Sequence, residues 1–105
     1  MDTEFQVETY EVDGEALGVR VHGDLDTATA DTLVDAVKAW PQQVGTCVVD
    51  LADCEFLDSS GIRALLLCHR HLDGGDATLR LVNVAAHIDR VLRIAGVQEV
   101  IQIEA

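Results

Sequence analysis

The sequence is short of positive charge. Seven lysines and arginines stand against nineteen aspartates and glutamates, for a formal net charge of −12, and Lys38 is the only lysine. Phosphate backbones and anionic lipid headgroups need a cationic surface, so nucleic acid and membrane surfaces are excluded as partner classes. A partner with a basic patch, by contrast, is steered toward such a chain. Long apolar runs are missing as well, since no stretch reaches the roughly 18 residues of a bilayer crossing. The opening "MDTEFQVE" has neither the basic start nor the apolar middle of a signal peptide, which reads as a cytoplasmic protein. Cysteine is sparse and unpatterned: Cys47, Cys54 and Cys68 are odd in number and show no C-x-x-C spacing, which fits reduced thiols in a reducing compartment. Proline occurs once, at Pro41, and there is no repeat, linker or low-complexity segment. What is there is 105 residues, 49% of them apolar. That is one globular domain, 1–105, with a modest core.

Thr3 to Val12 reads as a first strand and Asp13-Gly14 as a tight turn. Leu17, Val19 and Val21 alternate with Gly18, Arg20 and His22, the mark of a half-buried second strand over 15–22. Asp26 or Thr27 is expected to cap a helix with Ala30, Leu33, Val34, Val37 and Trp40 inward, ended by Pro41. "TCVVDL", 46–51, is a continuous apolar run, predicted as a strand covered on both faces. A second helix follows over 59–72 and is stopped by Gly74-Gly75. "ATLRLVNV" is the next strand. A third helix spans 85–95 with Ile88, Val91, Leu92 and Ala95 inward, and "EVIQI" closes as a fifth strand. Alternation of helix and strand after a hairpin predicts an α/β fold with a mixed sheet of about five strands and three or more helices.

The chemistry concentrates in "FLDSSGIRALL", 56–66. At about 100° per residue, Ile62, Leu65, Leu66, Cys68, His69 and Leu72 share a core face, with Gly61 and Ala64 at its edge. Ser60, Arg63, Leu67, Arg70 and His71 fall on the other side, with Ser59 at the N-terminal end near Arg63. Leu67 is then an apolar residue at the centre of the solvent face, either a lone exposed leucine or part of a binding patch. Asp58-Ser59-Ser60 suits N-capping. The same helix start, with free N–H groups and the positive end of the dipole, suits a phosphate.

Other chemistries fit less well. A nucleophilic serine needs a base within hydrogen-bond reach, yet His69 lies about 15 Å up the same helix and "DSSG" is not the G-x-S-x-G elbow. His69 and His71 diverge by about 200° and do not make a metal pair. Asp24, Asp26 and Asp58 could converge on magnesium at one sheet end, against the simpler reading of a turn and a cap. Asp50 as the phosphoacceptor of a response-regulator receiver is opposed by the opening hairpin and by the lack of lysine after Lys38. For the thiols, Cys68 and Cys47 are expected in the core and Cys54 exposed.

The segments "VHGDLDTATADTL", "VVDLADCEFLDSSGIRALL" and "LRLVNVAAHIDRVLRIAGVQEVIQI" together resemble the STAS domain of bacterial anti-sigma factor antagonists, in order over nearly the whole chain. The most specific part is the strand ending in D-L, the loop, and F-L-D-S-S-G-I opening a helix. The resemblance implies a phosphorylated serine at Ser59. It also implies a partner that is at once an anti-sigma factor and an ATP-dependent serine kinase. Unphosphorylated antagonist binds that partner and frees the sigma factor, phosphorylation prevents binding, and a PP2C-type phosphatase resets the cycle. The partner-binding surface expected on the polar side of this helix and the turn beside it is Asp24, Asp26, Asp58, Ser59, Ser60, Gly61, Arg63, Leu67 and Arg70. The chain would be a binding module and not an enzyme, a monomer or weak dimer with no cofactor of its own, and ATP and magnesium would belong to the kinase. The alternative is a STAS subunit of a phospholipid ABC-type transport complex. Three features depart from the family pattern. Ala85-Ala86 stands where Ser-Pro is common, with Asn83 as the expected replacement cap. The cysteines lie outside the motif. The sequence stops soon after "VIQIEA", so the terminal helix of longer relatives is expected to be absent.

Overall fold

The computed structural model describes residues 5–12, 16–40 and 45–104. Strands β1 (Gln6–Val12) and β2 (Ala16–His22) pair antiparallel from Gln6 opposite His22 to Val12 opposite Ala16. The turn at Asp13-Gly14 lies outside the described residues, as do Thr3 and Pro41. Strands β3 (Thr46–Asp53), β4 (Thr78–Val82) and β5 (Gln102–Ile103) add in parallel, in the order β1-β2-β3-β4-β5. Helices α1 (Ala30–Lys38), α2 (Ser59–Asp73) and α3 (Ala86–Ile94) connect the parallel strands. The architecture is the α/β domain with a five-stranded mixed sheet that the alternation predicts. Among the described residues no helix is long and apolar enough to cross a membrane.

Strand alternation sends successive side chains to opposite faces. Leu17, Val19 and Val21 of β2, Cys47, Val49 and Leu51 of β3, and Leu79 and Leu81 of β4 are all buried. They join Leu33 and Val37 of α1, Leu65 and Leu72 of α2, and Ile88 and Leu92 of α3 in one core. The opposite face is not covered as expected for β3. Val48 is only half-buried, and Asp50 sits in a polar ladder. Asp50 accepts from Ala52 N–H at 2.9 Å, Asn83 Nδ2 at 3.2 Å and Arg20 Nε at 3.4 Å. Burial opposes its charge, but these donors outweigh it and hold the carboxyl below the usual carboxylate value. An apolar run containing an aspartate reads as double-sided only until its neighbour Arg20 is known.

Local corrections follow from competing hydrogen bonds. Helix α1 starts at Ala30 with Thr29 as N-cap, so neither Asp26 nor Thr27 occupies that position. Asp26 instead closes the preceding turn, its Oδ1 accepting from Ala28 N–H at 3.0 Å. The Thr29 hydroxyl donates back to Asp24 O at 2.6 Å and accepts from Asp26 N–H at 2.9 Å, so it faces the preceding turn and caps no helix N–H. Trp40 is half-buried. At the end of α2 the left-handed residue is Asp76 (φ 64) rather than Gly74 (φ −63). In α3 only Ile88 and Leu92 turn inward, while Val91 and Ala95 are exposed. Asn83 does not cap it: it takes φ 56 and turns its amide to Asp50. The predicted fifth strand shortens to two residues because Val97–Glu99 coils into a 3-10 turn. Ile101 N–H bonds Val97 O at 2.9 Å and both residues are buried, a helical spacing and not an alternating one.

Candidate functional site at the start of the second helix

The site is assembled from two loops laced together. Gly23 N–H donates to Asp53 O (3.1 Å), Leu25 N–H to Phe56 O (3.0 Å), and Asp58 N–H to Leu25 O (3.2 Å). Leu25 and Leu57 form an isolated parallel bridge. The turn carrying Asp24 and Asp26 is thereby held beside the start of α2.

Asp58 is the N-cap. Its Oδ1 accepts from Ser60 N–H at 2.8 Å and Gly61 N–H at 3.2 Å. This corrects the expectation of free N–H groups for a phosphate, since a carboxylate already holds two of them. Gly61 is buried, and a Cβ there would lie 2.7 Å from Leu25 O and 2.9 Å from Leu25 Cβ. The absence of a side chain thus lets the helix approach the 23–29 turn. The two serines differ. Ser60 is half-buried and its hydroxyl pairs with Thr27 Oγ1 at 3.0 Å. Ser59 is exposed, and its hydroxyl bonds no described residue.

The stripe α2 buries is Gly61, Ala64, Leu65, Cys68 and Leu72. Its centre is rotated from the expected one: Gly61 and Ala64 lie within it, while Ile62, Leu66 and His69 are only half-buried along one border. A hydropathy reading weights large side chains, but the closest helix contact selects small ones. Leu67 moves accordingly. It is half-buried against the core, not central to the solvent face. Arg63 and Arg70 are exposed as expected.

Two open grooves flank this helix. One, of about 380 Å³, runs between α1 and α2 and is lined by Thr27, Asp31, Val34, Ser60, Arg63 and Leu67 among others. The other, of about 530 Å³, is lined by Arg63, Leu66, Leu67, His69, Arg70 and Val100. Asp24, Asp26, Asp58, Ser59, Ser60 and Gly61 therefore cluster at the helix start, while Arg63 and Leu67 form the ridge between the grooves and Arg70 lies two turns on. Sequence reading missed Thr27 as the partner of Ser60, and Leu66 and Val100 as groove walls. Only a 52% exposed valine next to a buried isoleucine marks Val100, and no local pattern reveals that.

The thiols are all buried, so Cys54 is not the exposed one. It is 2% exposed and its S–H donates to Phe56 O at 3.3 Å, which ties it into the loop lacing. Burial pushes the Cys47 and Cys68 thiols up to about 12. The histidine bonds lead away from Ser59. His22 lies 3.2 Å from Glu8 and 3.0 Å from Asp53, and His87 Nε2 lies 2.7 Å from Glu55 O.

The sequence is matched over residues 8–102 by a family model described as "Mlab, STAS domain". The chain belongs to the STAS-domain family. This STAS domain is 29% identical over 91 residues to a STAS-domain containing protein of Pseudomonas aeruginosa, covering 87% of this chain and 90% of the relative. It is 23% identical over 99 residues to the anti-sigma-B factor antagonist of Listeria monocytogenes, covering 93% and 87%. The crystal structure of an anti-sigma factor antagonist from Mycobacterium paratuberculosis matches the STAS domain with a TM-score of 0.84 at 22% identity, over 96% of this chain and 86% of that one. At that identity the likeness is one of fold.

Proposed function

We propose that this STAS domain is an anti-sigma factor antagonist, a cytoplasmic partner-switching protein controlled by phosphorylation of Ser59. Unphosphorylated, it binds an anti-sigma factor serine kinase and releases a sigma factor; a PP2C-type phosphatase restores that state. It acts by binding and not by catalysis, and ATP and magnesium are the kinase's. The observation that carries the reading is the contrast between the serines of D-S-S-G. The Ser60 hydroxyl is engaged by Thr27 at 3.0 Å, whereas Ser59 stands exposed one residue into the helix. The interface proposed is Asp24, Asp26, Asp58, Ser59, Ser60, Gly61, Arg63, Leu67 and Arg70. The similarity to a protein named anti-sigma-B factor antagonist supports it.

Intact mass spectrometry after mixing with a candidate kinase and ATP tests this. The wild type and Ser60→Ala gain about 80 Da, one phosphoryl group, and Ser59→Ala gains nothing. Modification lost in Ser60→Ala but kept in Ser59→Ala refutes the assignment. A second reading, a STAS subunit of a phospholipid ABC-type transport complex, is favoured by the description "Mlab" on the matching family model. Co-purification with a transport ATPase in place of a kinase decides for it.

A further inference from the structure

The groove between α2 and Val100 is lined by two arginines that pair with no carboxylate among the described residues. In a chain of net charge −12, Arg20, Arg80 and Arg93 each pair with a carboxylate. Arg63, Arg70, Arg90 and Lys38 form no ion pair with any described residue, and of these four Arg63 and Arg70 line this groove. Between them lie apolar walls: Leu66 and Leu67, half-buried, and Val100, 52% exposed. Seven residues apart on one helix, Arg63 and Arg70 are rooted about 10 Å apart along the axis and on nearly the same side. Guanidinium is always charged and presents a planar fork that fits carboxylate. Two unmatched forks at the ends of an apolar trough therefore describe their occupant by complementarity.

We infer that this groove docks an acidic amphipathic helix of the partner protein. Its carboxylates lie two turns apart, at i and i+7, and reach Arg63 and Arg70. An apolar side chain on the intervening turn fills the space between Leu66, Leu67 and Val100. The mode is a helix laid in a groove, read through side chains one turn apart. Charge complementarity at the two arginines sets orientation, and the apolar anchor supplies the buried contact. The inference rests on the proposed partner-switching function, because Arg63 also lies one turn from Ser59. A phosphate there would compete with the partner's carboxylate for the same guanidinium.

The test uses two synthetic helical peptides of equal length with leucine on the central turn, one carrying glutamate at i and i+7, the other lysine. Each is titrated into the isotope-labelled protein and followed by amide chemical shifts. The glutamate peptide should shift Arg63, Leu66, Leu67, Arg70 and Val100, and the lysine peptide should not. Arg63→Gln and Arg70→Gln should each weaken binding about tenfold, equivalent to ~1.4 kcal/mol, and added salt should weaken it too. Both positions are exposed, so unchanged thermal melts check that each variant folds. Equal binding of both peptides, shifts confined to other surfaces, no binding, or no effect of the double variant overturns the inference. So does a change in sedimentation of the protein alone on mutating both arginines, which would place a second copy in the groove. If Ser59→Asp blocks a kinase partner and Arg70→Gln leaves it bound, the groove reading fails and the phosphoswitch stands. If the peptide results hold while no kinase modifies Ser59, the groove stands and the switch fails.

Discussion

Replacing Gly61 with alanine should loosen the junction on which the site is built. The new Cβ would lie 2.7 Å from Leu25 O, 2.9 Å from Leu25 Cβ and 3.0 Å from Leu57 Cγ. Ordinary carbon–oxygen approach is about 3.3–3.6 Å, so the Leu25 carbonyl must retreat by more than half an ångström. It has little freedom to do so. Leu25 is bonded on both sides, through its N–H to Phe56 O at 3.0 Å and through its carbonyl to Asp58 N–H at 3.2 Å. Overpacking costs about 1–3 kcal/mol, and a backbone obstacle belongs in the upper half of that range. Weakening the bond from the Asp58 N–H adds up to ~1 kcal/mol. Alanine's helix propensity returns ~1 kcal/mol. The balance is a destabilisation of about 2 kcal/mol, which for a domain of this size lowers Tm by roughly 8 °C or more. Gly74→Ala is the internal control. Its Cβ would meet only His71 O at 3.5 Å and Arg70 O at 3.6 Å, at φ −63, so it should be neutral or mildly stabilising. Calorimetric melts with urea unfolding measure both. A Gly61→Ala protein as stable as the wild type would show that the contact with the 23–29 turn is slack and that glycine is not required there.

Ser59→Asp should keep the fold, with a melting temperature within a few degrees of the wild type, because Ser59 is exposed. It should not gain the full N-terminal benefit of ~0.3–1 kcal/mol, since Asp58 already holds the Ser60 and Gly61 N–H groups. Kinase-partner affinity should fall by about a hundredfold, since an unpaired charge at the interface costs several kcal/mol; tight binding in calorimetric titration would refute local blocking. Leu67→Ala should weaken the same binding and, because Leu67 is half-buried against the core, also cost some stability. The buried thiols predict an alkaline limit. Desolvation raises Cys47 and Cys68 from an ordinary 9.0 to about 12. Their stabilising effect is complete below pH 9 and is lost as pH climbs toward 12, because the unfolded thiols ionise first. Each contributes up to ~1.4 kcal/mol of loss per pH unit. Urea unfolding from pH 8 to 11 should show a shallower decline in the Cys47→Ala/Cys68→Ala protein, and an unchanged slope would contradict the burial.

The features of the site that were legible in the sequence are local ones. Asp58 as cap and Ser59 as first helical residue follow from capping preference and the apolar periodicity beginning at Ile62, all within a few positions of one another. The hairpin, the helix–strand alternation and the buried Cys47 and Cys68 follow from patterns of period 2 and 3.6. The misplaced residues share another property. Position in the loop before the second helix predicts an exposed Cys54, yet the lacing of 23–25 to 53–58 encloses it. Capping preference offers Asp26 or Thr27 as the cap of α1, yet Thr27 meets a hydroxyl 33 positions away. Val91 fits a helical stripe by periodicity but lies outside the narrower strip that Ile88 and Leu92 bury.

The order of elements, the mixed sheet and the D-S-S-G helix start are written locally in the sequence, because capping, propensity and hydrophobic period act between near neighbours. Which serine hydroxyl bonds no described residue, how α2 is rotated on the core, and where two arginines without an ion pair among the described residues meet an apolar groove are set by the tertiary structure. Those outcomes depend on contacts between distant residues: Ser60 with Thr27, Gly61 with Leu25, and Val100 beside Leu66. A helix's own periodicity fixes its apolar face only to within a residue or so. The closest steric approach, here at a glycine against a backbone carbonyl, sets the rest.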